Sequence, residues 1–461
     1  MQALAMKERT QRQSDRQCVA GAVVVVGLGV TGLSVVRHLC ARGENVLVMD
    51  TRDAPPALST LRRELPAVRV LIGELDGKLL STAARIILSP GVALSTPAVR
   101  TALDAGVEIV GDIELFVREA SAPIAAITGS NGKSTVTAML GEMASTDAVA
   151  ARVGGNLGEP ALALLDDNAG LYVLELSSFQ LETTWSLAAD VAAVLNISAD
   201  HLDRYTDFAH YSTAKARIFN GARVAIVNLD DPQLESLPID GSQRLGFSSC
   251  GHPDASAHLR EIDGKSWLCL HGDAVMRADE LAVAGRHNVA NALAAMLMAS
   301  ELGISQDAMR VALQQFKGLP HRCALVATLG GVHWIDDSKG TNVGSTVAAI
   351  EGLGCGRNLL LIAGGLGKGQ DFSPLSLPIG AHVHTVILIG ADARAIDSVT
   401  PPSVRRIYAQ SMRDAVRKAA VGAKRGDTVL LSPACASMDM FDNYVARGEA
   451  FCEAINGLDR A

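Results

Sequence analysis

Residues 128–135 read TGSNGKST, a run whose chemistry would be phosphate binding. Gly132, Lys133 and Ser134 form the end of a glycine-rich phosphate loop. In such a loop backbone amides cradle phosphates, a lysine reaches the terminal ones and a hydroxyl ligates Mg²⁺. The earlier glycine, Gly129, stands two places later than the usual G-x-x-x-x-G-K-[ST] spacing requires. Taken alone, this is as readily a glycine turn that opens a helix. Its surroundings favour the nucleotide, because an apolar strand precedes it and a helical pattern follows, so free amides and a helix N-terminus face one point. Gly129, Ser130, Asn131, Gly132, Lys133, Ser134 and Thr135 are therefore the candidate phosphate cradle.

Two further groups could complete such a site. Glu175 ends the apolar run LYVLEL, where a magnesium ligand beside the loop would sit; otherwise it is a polar strand terminus. After the next apolar run, NISADHLDRY places Asn196, Asp200, His201 and Asp203 near the same end of the sheet. A histidine among acids at a strand end has better odds of catalysis or metal binding than an isolated one. Lys215, in YSTAKARIF, reads locally as a solvated helical cation.

The elements that must carry these residues repeat three times. AVVVVGLGVTGL is a strand followed by Gly27, Gly29 and Gly32 and a helix, and NVLVMD ends at Asp50. That glycine fingerprint with an acid about 20 residues on usually means a dinucleotide. RIILSPG adds a strand and a turn over Ser89 to Gly91. The pattern restarts at Pro123 with IAAIT, then LYVLEL, AAVLNI and VAIVNL, and closes with the helical HNVANALAAMLMASELG. It restarts again with VHWIDDS, NLLLIAGG, TVILIG and TVLLSPA. Alternating strands and helices predict α/β units with parallel sheets: a flexible tail over 1–19, then domains over 20–112, 113–319 and 320–461. The expected architecture is a Rossmann-like first domain, a phosphate-loop ATPase-like central sheet and a Rossmann-like last domain.

Composition bounds the partners. A chain of 461 residues exceeds one ordinary core. A net charge of −8 with no basic stripe argues against a nucleic-acid surface. No segment approaches the ~20 apolar residues that span a bilayer, and the polar start MQALAMKERTQRQSDRQC has no signal-type apolar stretch. The 8 cysteines contain no C-x-x-C pair, which fits reduced thiols in a cytoplasm.

In order, GLGVTGLS, SPG, TGSNGKST, GGNLGEP, LELSSFQLE, NISADHLDRY, AKARI, GRHNVANALAA, GLPHR, DDSKGTN, AGGLGKGQDF and LSPACASMD resemble the Mur ligase family of peptidoglycan synthesis over nearly the whole chain after the tail. That family uses the shorter loop. The resemblance implies ATP-dependent joining of D-glutamate to UDP-N-acetylmuramoyl-L-alanine through an acyl phosphate, by a cytoplasmic monomer with two Mg²⁺ ions. It further implies that Lys133 and Ser134 hold ATP phosphates and magnesium, with Glu175 on the same metal. His201 and Lys215 would serve a second ion, Lys215 as a carbamate formed with CO₂, which overturns its local reading. Asn291 would approach the adenine, and Arg322 with Asp337 would close over ATP. Thr31, Asp50, Thr51, Arg52, Ser89 and Gly91 would meet the UDP part, and Asn156 would position the substrate nearer the chemistry. Lys339, Thr341, Lys368 and Ser437 would hold the glutamate. Tyr444 stands where the family often has phenylalanine, so its hydroxyl needs a partner if buried. The DNPR string of diaminopimelate-adding relatives is absent.

Two other classes compete with this reading. An NAD-dependent oxidoreductase accounts for Gly27, Gly29, Gly32 and Asp50 but leaves the central piece unexplained. A non-catalytic nucleotide-binding regulator accounts for the loop alone. The general base that takes the amine proton would be His201, by type and place.

Overall fold

The computed structural model describes residues 19–198, 200, 204–239, 241–283 and 285–458. The expected tail falls outside these residues, apart from its last position, and so does His201.

Three sheets succeed one another along the chain. The first contains β1 (Val23–Val26), β2 (Val46–Asp50), β3 (Arg69–Ile72), β4 (Arg85–Leu88) and β5 (Glu108–Val110), all parallel in the order β3-β2-β1-β4-β5. The order reverses between β1 and β4, and the crevice beyond their carboxyl ends is where such sheets bind ligands. Two glycines shape that crevice. Gly27 has φ +96°, and a Cβ on Gly32 of the helix Val30–Ala41 would lie 2.0 Å from the Gly27 carbonyl oxygen. Only glycine lets this helix begin so close to the strand.

The second sheet is the largest, with nine strands ordered β14-β13-β12-β11-β10-β9-β6-β8-β7. Its buried strands are parallel: β6 (Ile124–Thr128), β8 (Leu171–Glu175), β9 (Val191–Val194) and β10 (Val224–Asn228), with the half-buried β7 (Ala151–Gly155) parallel at the edge beside β8. It extends through β11 (Gln243–Ser248) and β12 (Ala257–Ile262), both in parallel register, to β13 (Lys265–Leu270) and β14 (Asp273–Arg277), which pair antiparallel. The sequence reading omitted these four strands. Each carries exposed polar residues near one end, and none is buried along its whole length as β6, β8 and β9 are. Two-residue turns join the last three, at Asp263–Gly264 and His271–Gly272, all four residues with positive φ. The Asp-Gly pair was the available hairpin signal.

The third sheet orders β15 (Ala324–Leu329), β16 (Val332–Asp336), β20 (Thr428–Leu431), β17 (Leu359–Gly364), β18 (Val383–Ile389) and β19 (Arg405–Tyr408), parallel except for β15.

The joints between sheets differ in kind. One continuous apolar cluster runs from Val25 and Phe116 to Ile124, Tyr172 and Leu174, so the first two sheets share a core. The apolar clusters of the third sheet contain only its own residues. Polar contacts link it to the second.

Candidate active site

The phosphate loop leaves β6 and enters the helix Lys133–Thr146, whose first turn carries no acid and no side-chain cap. Gly132 takes φ +84°, and a Cβ there would lie 2.5 Å from the Asn291 Oδ1, so the asparagine side chain packs on the loop. Neighbouring strand ends brace the loop's back. Asn196 Oδ1 accepts from the Asn131 amide at 2.8 Å, and its Nδ2 donates to the Asn131 carbonyl at 3.0 Å. Ser130 Oγ donates to the Ser198 carbonyl at 3.0 Å and lies 3.1 Å from the Tyr211 hydroxyl. The Ser130 amide is also engaged, by the Asn196 carbonyl at 2.9 Å, and the amides from Gly132 into the first turn lie at the helix's positive end, which is the electrostatic requirement for an anion site.

Charged side chains converge in front of this loop. Lys133 Nζ donates to the carbonyls of Gly129, at 2.8 Å, and Ser130, at 3.0 Å. Ser134 Oγ donates a short hydrogen bond to Glu175 Oε2, and Asn156 Nδ2 donates to Glu175 Oε1 at 2.6 Å. Burial pushes the Glu175 carboxyl up, but the Lys133 charge, these two hydrogen bonds and Arg322 outweigh it, so the net shift is downward. An ionised carboxylate and a hydroxyl side by side are the hard oxygen donors magnesium takes, with phosphate oxygens and water completing its octahedron.

Lys215 is the largest departure from local expectation. It is only 2% exposed on the helix Phe208–Ala216, and its Nζ donates to the Gly129 carbonyl at 2.9 Å. Burial, then the Lys133 charge, pull its pKa well below the ordinary lysine value, against the opposing pull of Asp200 and Glu175. An uncharged amine is the form that reacts with CO₂, and a carbamate would keep one N–H for Gly129.

The third sheet supplies the opposite wall. Arg322 Nη2 donates to Ser134 Oγ at 2.5 Å. Asn342 Nδ2 donates to Asn131 Oδ1 at 3.2 Å and to Asp200 Oδ2 at 3.1 Å, and Ser345 Oγ donates to Asn131 Oδ1 at 2.5 Å. Asp337 is buried, accepting from Ser432 Oγ at 2.6 Å and the Cys323 amide at 3.3 Å. Burial raises its carboxyl to about 7. Lys339, with its Nζ 4.1 Å from the Tyr444 ring centroid, is lowered to about 8 by burial and by the Arg322 and Lys133 charges.

Between these walls lies a cavity of about 600 Å³. It brings together Ser130, Asn131, Gly132, Lys133, Thr135, Asn156, Glu175, Lys215, Asn291, Arg322, Asp337, Lys339 and Thr341 from the sequence candidates. One end is apolar, formed by Phe247, Val283, Phe316 and Leu319, a place for a flat base that the sequence reading had not found.

Other candidates lie apart from it. Lys368, with φ +52°, is exposed on the loop after β17. That loop pairs with the Ser437 loop through a reciprocal backbone bridge of Leu366 and Ala436 at 2.9 Å. Tyr444 opens the helix Tyr444–Asn456, and its carbonyl accepts from Ser338 Oγ at 2.8 Å. Thr31, Asp50, Thr51, Arg52, Ser89 and Gly91 lie at the carboxyl ends of the first sheet. Asp50 is fully engaged: Oδ2 accepts from the Leu28 amide at 2.7 Å and Arg52 Nη2 at 2.6 Å, and Oδ1 from the Arg52 amide and Nε, both at 2.9 Å. Such a carboxylate has spent its lone pairs and has none for the ribose hydroxyl that a dinucleotide fold offers its acid. Arg204 ties the Ser89–Gly91 turn to the central domain, donating to the Pro90 carbonyl at 2.6 Å and to Glu182 at 2.9 Å.

Comparison with known proteins gives three family matches in chain order. The Mur ligase MurD-like N-terminal domain matches residues 21–111, the Mur ligase middle domain 127–299 and the Mur ligase glutamate ligase domain 321–435. The chain is 50% identical over 438 residues to the UDP-N-acetylmuramoylalanine--D-glutamate ligase of Pseudomonas putida, covering 94% of this chain and 97% of the relative. The enzyme of the same name from Nitrosococcus oceani is 49% identical over 442 residues, 95% of this chain and 97% of the relative. Among solved structures, UDP-N-acetylmuramate-alanine ligase MurC from Thermotoga maritima aligns with a TM-score of 0.61 at 18% identity, covering 95% of this chain and 99% of that one. MurF from Acinetobacter baumannii aligns at 0.61 and 18%, over 96% and 92%. These two likenesses concern the fold.

Proposed function

The chain belongs to the Mur ligase family, and from that premise we propose that it joins D-glutamate to UDP-N-acetylmuramoyl-L-alanine at the expense of ATP, in peptidoglycan precursor synthesis. The observation that carries the reading is the meeting of Lys133, Ser134–Glu175 and Lys215 with Arg322 of another sheet at one phosphate loop. Identity near 50% to D-glutamate ligases over almost the full length supports the substrate pair.

The reaction brings two anions together, because the alanyl carboxylate attacks the γ-phosphate of ATP. At 4 Å and an effective dielectric near 20, each pair of unit charges repels by roughly 4 kcal/mol. Lys133, Arg322 and the amides at the helix's positive end offset that repulsion and hold the phosphates in line. Ser134 and Glu175 would hold magnesium, and a Lys215 carbamate with His201 a second ion; bound there, the metals would supply further charge neutralisation at the phosphates. Asn156, bonded to Glu175, would orient the carboxylate, and the apolar end of the cavity would take the adenine. Asp337 and Arg322 would bring the third domain onto ATP and exclude the water that hydrolyses an acyl phosphate. Lys339, Thr341, Lys368, Ser437 and Tyr444 would receive the glutamate.

Domain limits of 20–112, 113–319 and 320–461, action as a monomer and a cytoplasmic location belong to the same reading. Among the described residues no helix is long and apolar enough to cross a membrane. The test is a product assay with ATP, UDP-N-acetylmuramoyl-L-alanine and a panel of D- and L-amino acids. Amide product and phosphate release confined to D-glutamate are expected. Phosphate release independent of any amino acid would refute the ligase assignment.

A further inference from the structure

One histidine outside the large cavity is held as a proton acceptor would be. His321 Nδ1 lies 2.6 Å from Asp336 Oδ2, and the Asp336 side chain is only 2% exposed at the end of β16. The other Asp336 oxygen accepts from the Ser338 amide at 2.8 Å, so the carboxylate cannot turn away. This bond places the imidazole proton on Nδ1 and leaves Nε2 as the basic nitrogen. The one side-chain hydrogen bond of His321 among the described residues is that of Nδ1, and the side chain is 14% exposed.

The backbone accepts strain to put the ring there. His321 has φ +62°, a left-handed conformation that few non-glycine residues adopt, though histidine takes it more often than most. On the facing helix, a Cβ on Gly448 would lie 2.2 Å from His321 Nδ1 and 2.8 Å from Asp336 Oδ2. Glycine at 448 therefore makes room for the pair. Strain at a polar pair beside a binding site is a reason to ask what the pair does.

Its position answers that question. The next residue, Arg322, reaches Ser134 at the phosphate end of the cavity. The Lys339 amide donates to the His321 carbonyl at 3.0 Å, and the ring stands edge-on to Tyr444 at 6.2 Å between centroids. Lys339 lies over that same Tyr444 ring. The ring itself does not line the cavity, but the residues its backbone joins do: Arg322 at the phosphate end, and Lys339 among the residues proposed for the amino acid, where the amine must meet the acyl phosphate. The charged and titratable groups around the pair are Arg322, Asp337, Lys339 and Tyr444, with Arg447 and Cys452 on the last helix.

We propose that His321, oriented by Asp336, is the base that takes the proton from the incoming amine; the proposal rests on the ligase reading above. The ammonium of the amino acid gives one proton to His321 Nε2 and its lone pair attacks the acyl carbon. The C–N bond forms, the C–O bond to phosphate breaks, and the second nitrogen proton leaves with the phosphate as hydrogen phosphate. His321 then returns its proton to water. This gives the base role to a different residue from His201.

His321→Asn is the discriminating variant. Asparagine tolerates positive φ, its amide can still donate to Asp336, and it has no basic nitrogen. The full-length enzyme is assayed with ATP and UDP-N-acetylmuramoyl-L-alanine plus either D-glutamate or hydroxylamine. Hydroxylamine is largely unprotonated at neutral pH and traps the acyl phosphate as a hydroxamate without a base. Amide formation should fall about a hundred- to ten-thousandfold, with hydroxamate formation and the KM for ATP retained. Added imidazole should restore amide formation in His321→Gly, whose backbone also accepts the turn. Retained amide formation in His321→Asn would overturn the proposal, and so would equal loss of amide and hydroxamate, which marks a structural role. If His321→Asn does not fold, the His321→Gly imidazole response decides. Wild-type enzyme that makes no glutamate amide would refute the ligase reading instead.

Discussion

Replacing Asp337 by asparagine should make the protein more stable and less active, with a stability gain that grows with pH. Burial raises this carboxyl from its ordinary value of 3.8 to about 7, against the lowering effects of the Ser432 and Cys323 hydrogen bonds and of Arg322. A raised carboxyl means that the folded state holds a proton more tightly than the unfolded chain. Stability therefore falls as pH rises from about 4 and stops falling above about 7. The full shift is on the order of 4 kcal/mol at pH 8, and less than half of it has developed by pH 5. Asparagine removes that cost at every pH. It also loses one of the two hydrogen bonds, because its amide nitrogen cannot accept, at about 1 kcal/mol. The expected net gain is on the order of 3 kcal/mol at pH 8 and close to zero at pH 5. Urea unfolding at both pH values measures the gap, followed by the fluorescence of Trp334 in a background where Trp185 and Trp267 are replaced by phenylalanine. Turnover should drop, since the neutral amide cannot pair with the charges that ATP and magnesium bring. A gap that is absent at pH 8, or equal at the two pH values, would refute the account of Asp337 as a buried acid kept for function.

Lys215→Ala should nearly abolish turnover, and added formate or acetate should restore part of it by replacing the lost carbamate; full activity in the untreated variant would exclude that modification. Lys368→Ala should raise the KM for glutamate roughly ten- to a hundredfold, the worth of a charge-assisted hydrogen bond, and leave ATP unchanged; the opposite pattern would assign it to the nucleotide. Arg52→Ala should destabilise the first domain near neutral pH. The Arg52 hydrogen bonds hold the Asp50 carboxyl at about 2, so the stabilisation they give is present above about pH 4 and is lost as pH falls toward 2. Urea unfolding followed by circular dichroism should show a gap between wild type and variant at about pH 7 that closes as the pH falls from about 4, and a gap that does not change with pH would contradict the pairing.

How much of this was legible in the sequence depends on the range of each interaction. The phosphate loop, Glu175 at the end of β8 and the buried strands were readable, because a glycine turn after an apolar run is a local signal. Lys215 was not. AKARIF looks like a solvated helix turn, and only the return of that helix under the Gly129 carbonyl buries the amine. Arg447 was missed for the same reason. It sits in DNYVARG like a surface cation, yet is 1% exposed and donates to Ser338 and to the Cys435 carbonyl, with no carboxylate among these partners. Strain was equally invisible: His321, Cys323, Lys368 and Ala434 all take positive φ in the loops at the edge of the third sheet. Nothing in residue type announces that conformation, since glycine would be the expected choice.

The joints between the sheets bear on how such a site can work. The first two sheets share an apolar core through Phe116 and Tyr172, whose rings meet edge-to-face at 4.9 Å between centroids. Separating them would expose that core. The third sheet meets the phosphate loop through Arg322, Asn342 and Ser345, with Asn131 and Ser134 as the receiving residues. Each such bond is worth roughly 0.5–1.5 kcal/mol net, because water competes for both partners. A handful of them gives a joint of a few kcal/mol, within the range that ligand binding can shift. The bonds also end on the side chains that face the phosphates, so a bound nucleotide and the third sheet act on the same atoms. On the proposed assignment, contact with the nucleotide and placement of the amino-acid residues would be one event. That coupling suits a reaction whose acyl phosphate must meet an amine before it meets water.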